Sequence, residues 1–288
     1  VLVSSVVASV LAILAVMLIS GRGKKKIWEG SHCVITGGSA GLGLAIAKEI
    51  VQLGGSVSIL ARNPQRLQEA EDEIRPLITK DNQKVLSFPT DVTNEEEIEA
   101  TLQKIKETED KVDFLFCCAG VAKPGMFLDT PTKNFDDQMQ LNYMGIVKSL
   151  KVFVPEIINS SHPNKRVILV SSAMGLSGFV GYSQYSATKY AVRGLAECLR
   201  NEFLLYDIGV SIFHASSMDS PGYEVEEKTK PEITRKIEGT STLFQPSEAA
   251  SHCLRAVENG KYHICSDMVI ELMRMTGNGL TPRNYPVI

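Results

Sequence analysis

Tyr185 and Lys189 stand four residues apart in Tyr185-Ser186-Ala187-Thr188-Lys189. On a helix that spacing puts both side chains on one face, a single turn from each other. A free phenol titrates near pH ~10, so at neutral pH a lone tyrosine exchanges its proton reluctantly. An ammonium beside it favours the phenolate, and the pair reads as an acid/base device for a carbonyl or an alcohol. Chance places Tyr and Lys at this spacing on many helices, so the elements around the pair must decide what it does.

The first such element lies far upstream. Ser31–Thr36 reads as a short apolar strand that runs directly into Thr36-Gly37-Gly38-Ser39-Ala40-Gly41-Leu42-Gly43, after which helical periodicity begins. Glycines let the backbone turn tightly there and let a pyrophosphate approach the helix N-terminus, where free N–H groups and the helix dipole favour negative charge. Gly37, Ser39, Ala40, Gly41, Leu42 and Gly43 are therefore candidate dinucleotide contacts. An NAD site usually ends its second strand in a carboxylate that bonds the ribose hydroxyls. Here that tip reads Leu60-Ala61-Arg62-Asn63, with Arg66 a turn later. A guanidinium at this point suits a 2′-phosphate, so NADPH is expected over NADH. The plainer alternative is that Arg62 is an ordinary solvated arginine.

The remaining elements alternate. Ser56–Ala61, Val85–Pro89, Asp113–Cys118, Arg166–Ser171 and Val210–Ala215 read as buried strands like Ser31–Thr36, with Tyr262–Cys265 a last edge strand. Leu42–Leu53, Pro64–Ile78, Glu95–Thr108, Phe135–Ile158, Tyr182–Tyr206 and Pro246–Glu258 read as helices. This βαβ rhythm predicts an α/β fold: a Rossmann, doubly wound parallel sheet of about seven strands with helices on both faces. One domain, residues 31–265, is the economical reading. Ser216–Thr242 breaks the rhythm; it is polar, carries Pro221-Gly222 and Lys230-Pro231, and reads as an irregular substrate loop. Residues 266–288 form a tail in which Met268–Met275 is a short apolar segment suited to lipid or substrate.

Composition narrows the partners. A net charge of −3 over 288 residues gives no reason to expect nucleic acid. The six cysteines follow no metal or disulfide spacing, and five lie in apolar or helical runs, which fits buried, reduced thiols. The five histidines form no ligand pattern, so no metal site is expected. Val1–Ser20 is uncharged and rich in Val, Leu, Ile and Ala, and as a helix it would span about 30 Å, a bilayer's hydrocarbon core. Gly21-Arg22-Gly23-Lys24-Lys25-Lys26 follows as a cationic collar within a basic linker, 21–30. The expectation is an N-terminal transmembrane anchor with the globular domain on the cytosolic side. A cleaved signal peptide would want a basic stretch before the apolar run and a small-x-small site after it.

Taken together these marks resemble the short-chain dehydrogenase/reductase family. The TGxxxGxG turn is Thr36 to Gly43, YxxxK is Tyr185 to Lys189, and Ser172 lies thirteen residues before Tyr185. Asn142, in Leu141-Asn142-Tyr143, matches the helix asparagine of the family's tetrad, and Asp91-Val92 matches the pair that caps the adenine site. The resemblance implies that Ser172 hydrogen-bonds the substrate oxygen and Tyr185 delivers its proton. It implies that Lys189 lowers the tyrosine's pKa and holds the nicotinamide ribose, and that Asn142 positions a water. Two stretches depart from the family pattern. Asn-Asn-Ala-Gly is replaced by Cys117-Cys118-Ala119-Gly120, which keeps the small Ala119-Gly120 turn and loses two bracing amides; both thiols are expected to be packed. Pro-Gly after the sixth strand is replaced by Ala215-Ser216, leaving Asp219-Ser220 to supply the polar cofactor contact through Ser220.

Within the family, Gly178-Phe179-Val180-Gly181-Tyr182-Ser183-Gln184-Tyr185, the Cys-Cys-Ala-Gly variant and Thr229–Thr234 look like the 3-ketodihydrosphingosine reductases, fungal ones notably. That resemblance implies NADPH-dependent reduction of 3-ketosphinganine, a lipophilic long-chain amino ketone, to sphinganine on the cytosolic face of the endoplasmic reticulum membrane. It also implies a homo-oligomer. An anchored reductase of a steroid, retinoid or acyl ketone is the alternative, and a member that only binds nucleotide or a partner is another. The full set Asn142, Ser172, Tyr185 and Lys189 argues against the last.

Overall fold

A computed structural model describes residues 27–109, 111–239 and 243–276. The strands are β1 (His32–Thr36), β2 (Ser56–Ala61), β3 (Val85–Pro89), β4 (Phe114–Cys117), β5 (Arg166–Ser172), β6 (Gly209–Ala215) and β7 (His263–Cys265). They form one sheet in the order β3-β2-β1-β4-β5-β6-β7, and every pairing is parallel. The order reverses between β1 and β4, where Thr36 pairs with Cys117 at the carboxyl edge. Open α/β sheets bind ligands outside the carboxyl ends at such a switch point.

The helices are α1 (Gly41–Gln52), α2 (Pro64–Ile74), α3 (Glu95–Lys106), α4 (Thr132–Met139), α5 (Gly145–Asn159), α6 (Ser183–Glu202), α7 (Pro221–Thr229), α8 (Glu232–Glu238), α9 (Pro246–Glu258) and α10 (Met268–Thr276). They cover both faces because alternate residues of a strand point to opposite sides. Cys33 and Ile35 of β1 pack into one core with Ile46 and Ile50 of α1 and Leu254 of α9. Val34, between them, joins the other core with Ile98 of α3, Phe153 of α5 and Val192 of α6. Parallel strands buried on both faces read as continuous apolar runs, which is why the predicted strands fall within a residue or so of these bounds.

The structure corrects four expectations. The linker 21–30 does not extend to residue 30, since Ile27 and Trp28 are 5% and 1% exposed and sit in the core. Trp28 donates its indole N–H to Glu258 at 2.8 Å and packs on Phe114, with ring centroids 4.9 Å apart. The predicted helix Phe135–Ile158 is broken by a π-helical turn, Gln140–Met144, between α4 and α5. The irregular loop Ser216–Thr242 contains two helices instead. Ser220 caps α7 by accepting from the Tyr223 N–H at 3.2 Å, and Pro221 occupies its first position, a start signal hidden by the polar composition. Finally, the cysteines are not uniformly buried: Cys198 is exposed and Cys118 half-buried. The predicted anchor, Val1–Ser20, lies outside the described residues, among which no helix is long and apolar enough to cross a membrane.

Candidate active site

The carboxyl ends of β1, β2, β4, β5 and β6 open onto one cavity of about 1270 Å³. Its floor is the glycine turn. Gly37 has φ +69°, and a Cβ there would come within 2.8 Å of the Ala119 nitrogen. A Cβ on Gly43 would lie 2.4 Å from the Gly37 carbonyl oxygen. Only glycine fits both places. Gly41, at φ +53°, lies beside Ser220, whose Cβ would be 3.3 Å from a Cβ at Gly41, so the N-terminal cap of α7 closes over the amino end of α1. The α1 N-cap is Ala40, which offers no capping side chain, and the first turn holds no acid. Its N–H groups and dipole are thus left to an external anion, and the turn fits the pyrophosphate of a dinucleotide.

Arg62 and Arg66 line the cavity beyond the tip of β2 and are exposed. Neither makes an ion pair among the described residues. Asn63 caps α2 by accepting from the Arg66 N–H at 3.0 Å, which fixes where both arginines start. Val92, Ala119 and Gly120 also line the cavity. The Cys118–Gly120 turn is tied to β1, with Cys118 N–H donating to the Thr36 carbonyl at 3.2 Å and Ala119 N–H to the Thr36 hydroxyl at 3.3 Å. Asp91 does not reach the cavity lining. Its carboxylate turns back to accept from the N–H and hydroxyl of Thr93, at 2.9 and 2.8 Å, and Thr90 lines the wall in its place.

Opposite the glycine turn stand Ser172, Tyr185 and Lys189. Ser172 ends β5; its hydroxyl oxygen accepts from the Met174 N–H at 3.2 Å, which leaves its own proton for the Tyr185 phenol. Tyr185 is partly exposed to the cavity in the first turn of α6. Lys189 follows one turn later, 4% exposed, and donates to the Val170 carbonyl at 2.9 Å. Its ammonium lies 5.6 Å from the centre of the Tyr185 ring. Burial lowers Lys189 to about 8.

Tyr185 departs from expectation. Burial, and next the negative charge of Glu226, push its phenol above the usual value, while the Ser172 hydroxyl pulls the other way. Desolvation of the phenolate is the leading cause. The protein alone therefore keeps Tyr185 as a neutral proton donor.

Asn142 is fully buried in the π-helical turn and does not line the cavity. Its amide accepts from Val121 N–H at 2.8 Å and donates to the Val121 carbonyl at 2.9 Å and the Thr188 hydroxyl at 3.2 Å. Both amide protons are used, so the side chain braces the β4 turn against the helix of Lys189 and has no donor left for a water. Cys117 is buried as expected, whereas Cys118 is half-buried on the cavity lining; burial pushes its thiol up to about 12.

Sequence reasoning missed the far wall, formed by Tyr182, Tyr223, Glu226 and Glu238. Tyr182, 1% exposed, donates to Glu226 and lies 3.5 Å from Glu238. Behind them the Lys230 side chain, 1% exposed, pairs with Glu226, Glu227 and Glu238. A signal was present in the alternation of acids with Lys230 and Arg235 over Glu224–Glu238, but its helical register was not read.

Known proteins supply the context. Residues 31–230 match the family model for short chain dehydrogenases. The chain belongs to the short-chain dehydrogenase family. It is accordingly an oxidoreductase of the alcohol–carbonyl couple. It is 36% identical over 262 residues to a PIGF/3-ketodihydrosphingosine reductase fusion protein of Schizosaccharomyces pombe, covering 90% of this chain and 52% of that one. The chain thus spans about half the length of the fusion protein. It is 35% identical to a 3-ketodihydrosphingosine reductase of Dictyostelium discoideum, over 88% of this chain and 80% of the relative. A short-chain dehydrogenase/reductase from Burkholderia phymatum, solved in complex with NAD, superposes with a TM-score of 0.75 at 22% identity, covering 90% of this chain and 99% of that one, and shares the fold.

Proposed function

We propose that this dehydrogenase/reductase uses NADPH to reduce 3-ketodihydrosphingosine (3-ketosphinganine), a long-chain amino ketone, to sphinganine. The observation that carries the reading is one cavity lined both by Ser172, Tyr185 and Lys189 and by an uncapped glycine turn. The names of the two relatives support the substrate. Gly37–Gly43 would hold the pyrophosphate of a dinucleotide whose reduced nicotinamide would supply the hydride. The Ser172 proton bonds the carbonyl oxygen as negative charge grows on it, and Tyr185 gives that oxygen its proton. Lys189 is held by Val170 within reach of the ribose side of the cavity, where Gly120 leaves room; a Cβ there would lie 3.6 Å from the Lys189 nitrogen. Arg62 and Arg66 are placed to bind a 2′-phosphate, which favours NADPH.

The same reading puts the protein on the endoplasmic reticulum membrane, its domain in the cytosol, with Val1–Ser20 as anchor. Each CH₂ of the substrate contributes about 0.8 kcal/mol to partitioning into lipid, so an anchored enzyme meets it at the surface. The exposed Met268, Val269, Leu272 and Met275 of α10 suit a further lipid contact.

The test is turnover by purified protein in detergent. It should oxidise NADPH in the presence of 3-ketosphinganine, release sphinganine, and use NADH far less well. No turnover of this ketone alongside good turnover of a steroid or retinal would overturn the substrate. Equal use of NADH would overturn the cofactor preference.

A further inference from the structure

Glu226 has no part in hydride or proton transfer, yet it lines the same cavity as the proton donor. It projects from α7, and its Oε1 takes the Tyr182 hydroxyl proton. Tyr182 is the residue before α6, three positions ahead of Tyr185, and the two rings are 6.2 Å apart. The charge of Glu226 acts on the Tyr185 phenol, second only to burial.

The partners around it are unequally shared. Lys230 donates to Glu238 Oε2 at 2.8 Å and pairs with Glu227, but stands 3.7 Å from Glu226 Oε1. Arg235 serves Glu227 at 3.2 Å. Three carboxylates therefore share two cations. Glu226 Oε2 makes no hydrogen bond among the described residues. A carboxylate oxygen with no donor, fixed on the wall of the reaction cavity, calls for a cationic or N–H partner from the ligand.

We infer that Glu226 is a specificity residue: it receives the ammonium of the amino ketone and so selects an α-amino ketone over an uncharged one. The inference rests on the substrate reading above. In such a ketone the ammonium sits on the carbon next to the carbonyl, within roughly 4 Å of its oxygen. A single short anchor at Glu226 therefore delivers that oxygen towards Tyr185 and Ser172. Tyr182 is a positioning residue, holding the Glu226 carboxylate from behind by its hydroxyl. The ammonium also offsets the negative charge that acts on Tyr185, so the correct substrate eases ionisation of the proton donor as it binds.

The experiment compares three ketones of equal chain length, namely 3-ketosphinganine, its N-acetyl derivative and the desamino ketone. Wild-type protein should favour the free amine in kcat/KM by about ten- to hundredfold, the range of a charge-assisted hydrogen bond. In Glu226→Gln, which keeps shape and the acceptor for Tyr182, the ratio of amino to desamino ketone should fall by about tenfold or more, chiefly through KM. NADPH affinity should be retained. The wild-type comparison needs no variant to fold. Equal turnover of amino and desamino ketones by wild type would overturn the inference while leaving the ketone reductase reading in place. An equal loss on both ketones in Glu226→Gln, or weakened NADPH binding, would assign Glu226 to structure or cofactor and also overturn it. Turnover of none of the three would instead sink the substrate reading itself.

Discussion

The two edges of the sheet each bury charged and polar groups, and they treat them differently. At the amino edge Asp113 is fully buried just before β4. Its carboxylate takes the His32 N–H at 2.8 Å, the Ser160 hydroxyl, and the Lys111 ammonium at 3.3 Å. The His32 ring lies 2.6 Å from the Lys111 carbonyl and 2.8 Å from the Ser58 hydroxyl, one through each nitrogen. Every group there has its partner inside the protein. At the carboxyl edge the Ser172 hydroxyl meets only the Tyr185 phenol and the Met174 N–H, and among the described residues Glu226 Oε2 has no hydrogen-bond partner and α1 no capping side chain, all on one cavity. A satisfied buried network holds a fold, and an unsatisfied one facing a cavity awaits a ligand.

The contrast can be broken by exchanging the consequences of mutation. Tyr185→Phe should reduce turnover by about 10²- to 10⁴-fold, the usual worth of a positioned general acid, with NADPH still bound and stability changed by less than about 1 kcal/mol. Steady-state kinetics and a cofactor titration check it; retained turnover would mean that the proton comes from elsewhere. Asp113→Ala should do the reverse. It strands the His32 N–H, the Ser160 hydroxyl and Lys111, and should cost about 3 kcal/mol in denaturant unfolding, with activity per folded molecule unchanged. A catalytic loss without a stability loss would erase the distinction between the edges.

The carboxyl edge also has its own pH dependence. Burial lowers Lys189 from its ordinary 10.5 to about 8, so the folded state prefers it neutral. Between about pH 8 and 10 the unfolded chain then binds more protons at this site, and its contribution to stability rises with pH. Relative to Lys189→Met, wild type should gain up to about 1 kcal/mol per pH unit across that window. Unfolding curves at pH 8 and 10 read it directly. A flat difference would show that Lys189 is charged in the fold across the whole range.

Much of this was legible from residue order. The strands could be placed because both faces of a parallel strand are apolar, and the glycine turn because its two tightest positions admit no Cβ. The Tyr185–Lys189 pair could be seen because one helix turn fixes its spacing, while Ser172 was named through the family resemblance, by its interval of thirteen residues before Tyr185. What escaped depended on contacts made across the chain. The Asp91 carboxylate is captured by Thr93, the Asn142 amide is spent on Val121 and Thr188, and no spacing rule reveals either. The π-helical turn at Gln140–Met144 leaves no mark on apolar periodicity. Helices α7 and α8 hide in polar sequence because Lys230 and its three acids stabilise them through buried charge rather than an apolar face. The phenol's raised pKa is a property of burial, which a spacing of four residues cannot report.

The central claim, that the carboxyl-edge cavity carries out ketone reduction with Tyr185 as proton donor, is most directly tested by isotope transfer. Wild-type protein is given 3-ketosphinganine and NADPH deuterated at both nicotinamide C4 positions, and the product is analysed by mass spectrometry. Wild type should yield sphinganine carrying deuterium at C3, and Tyr185→Phe virtually none under conditions where both proteins bind the cofactor. Unlabelled sphinganine from wild type, or equal labelled product from the variant, would contradict it.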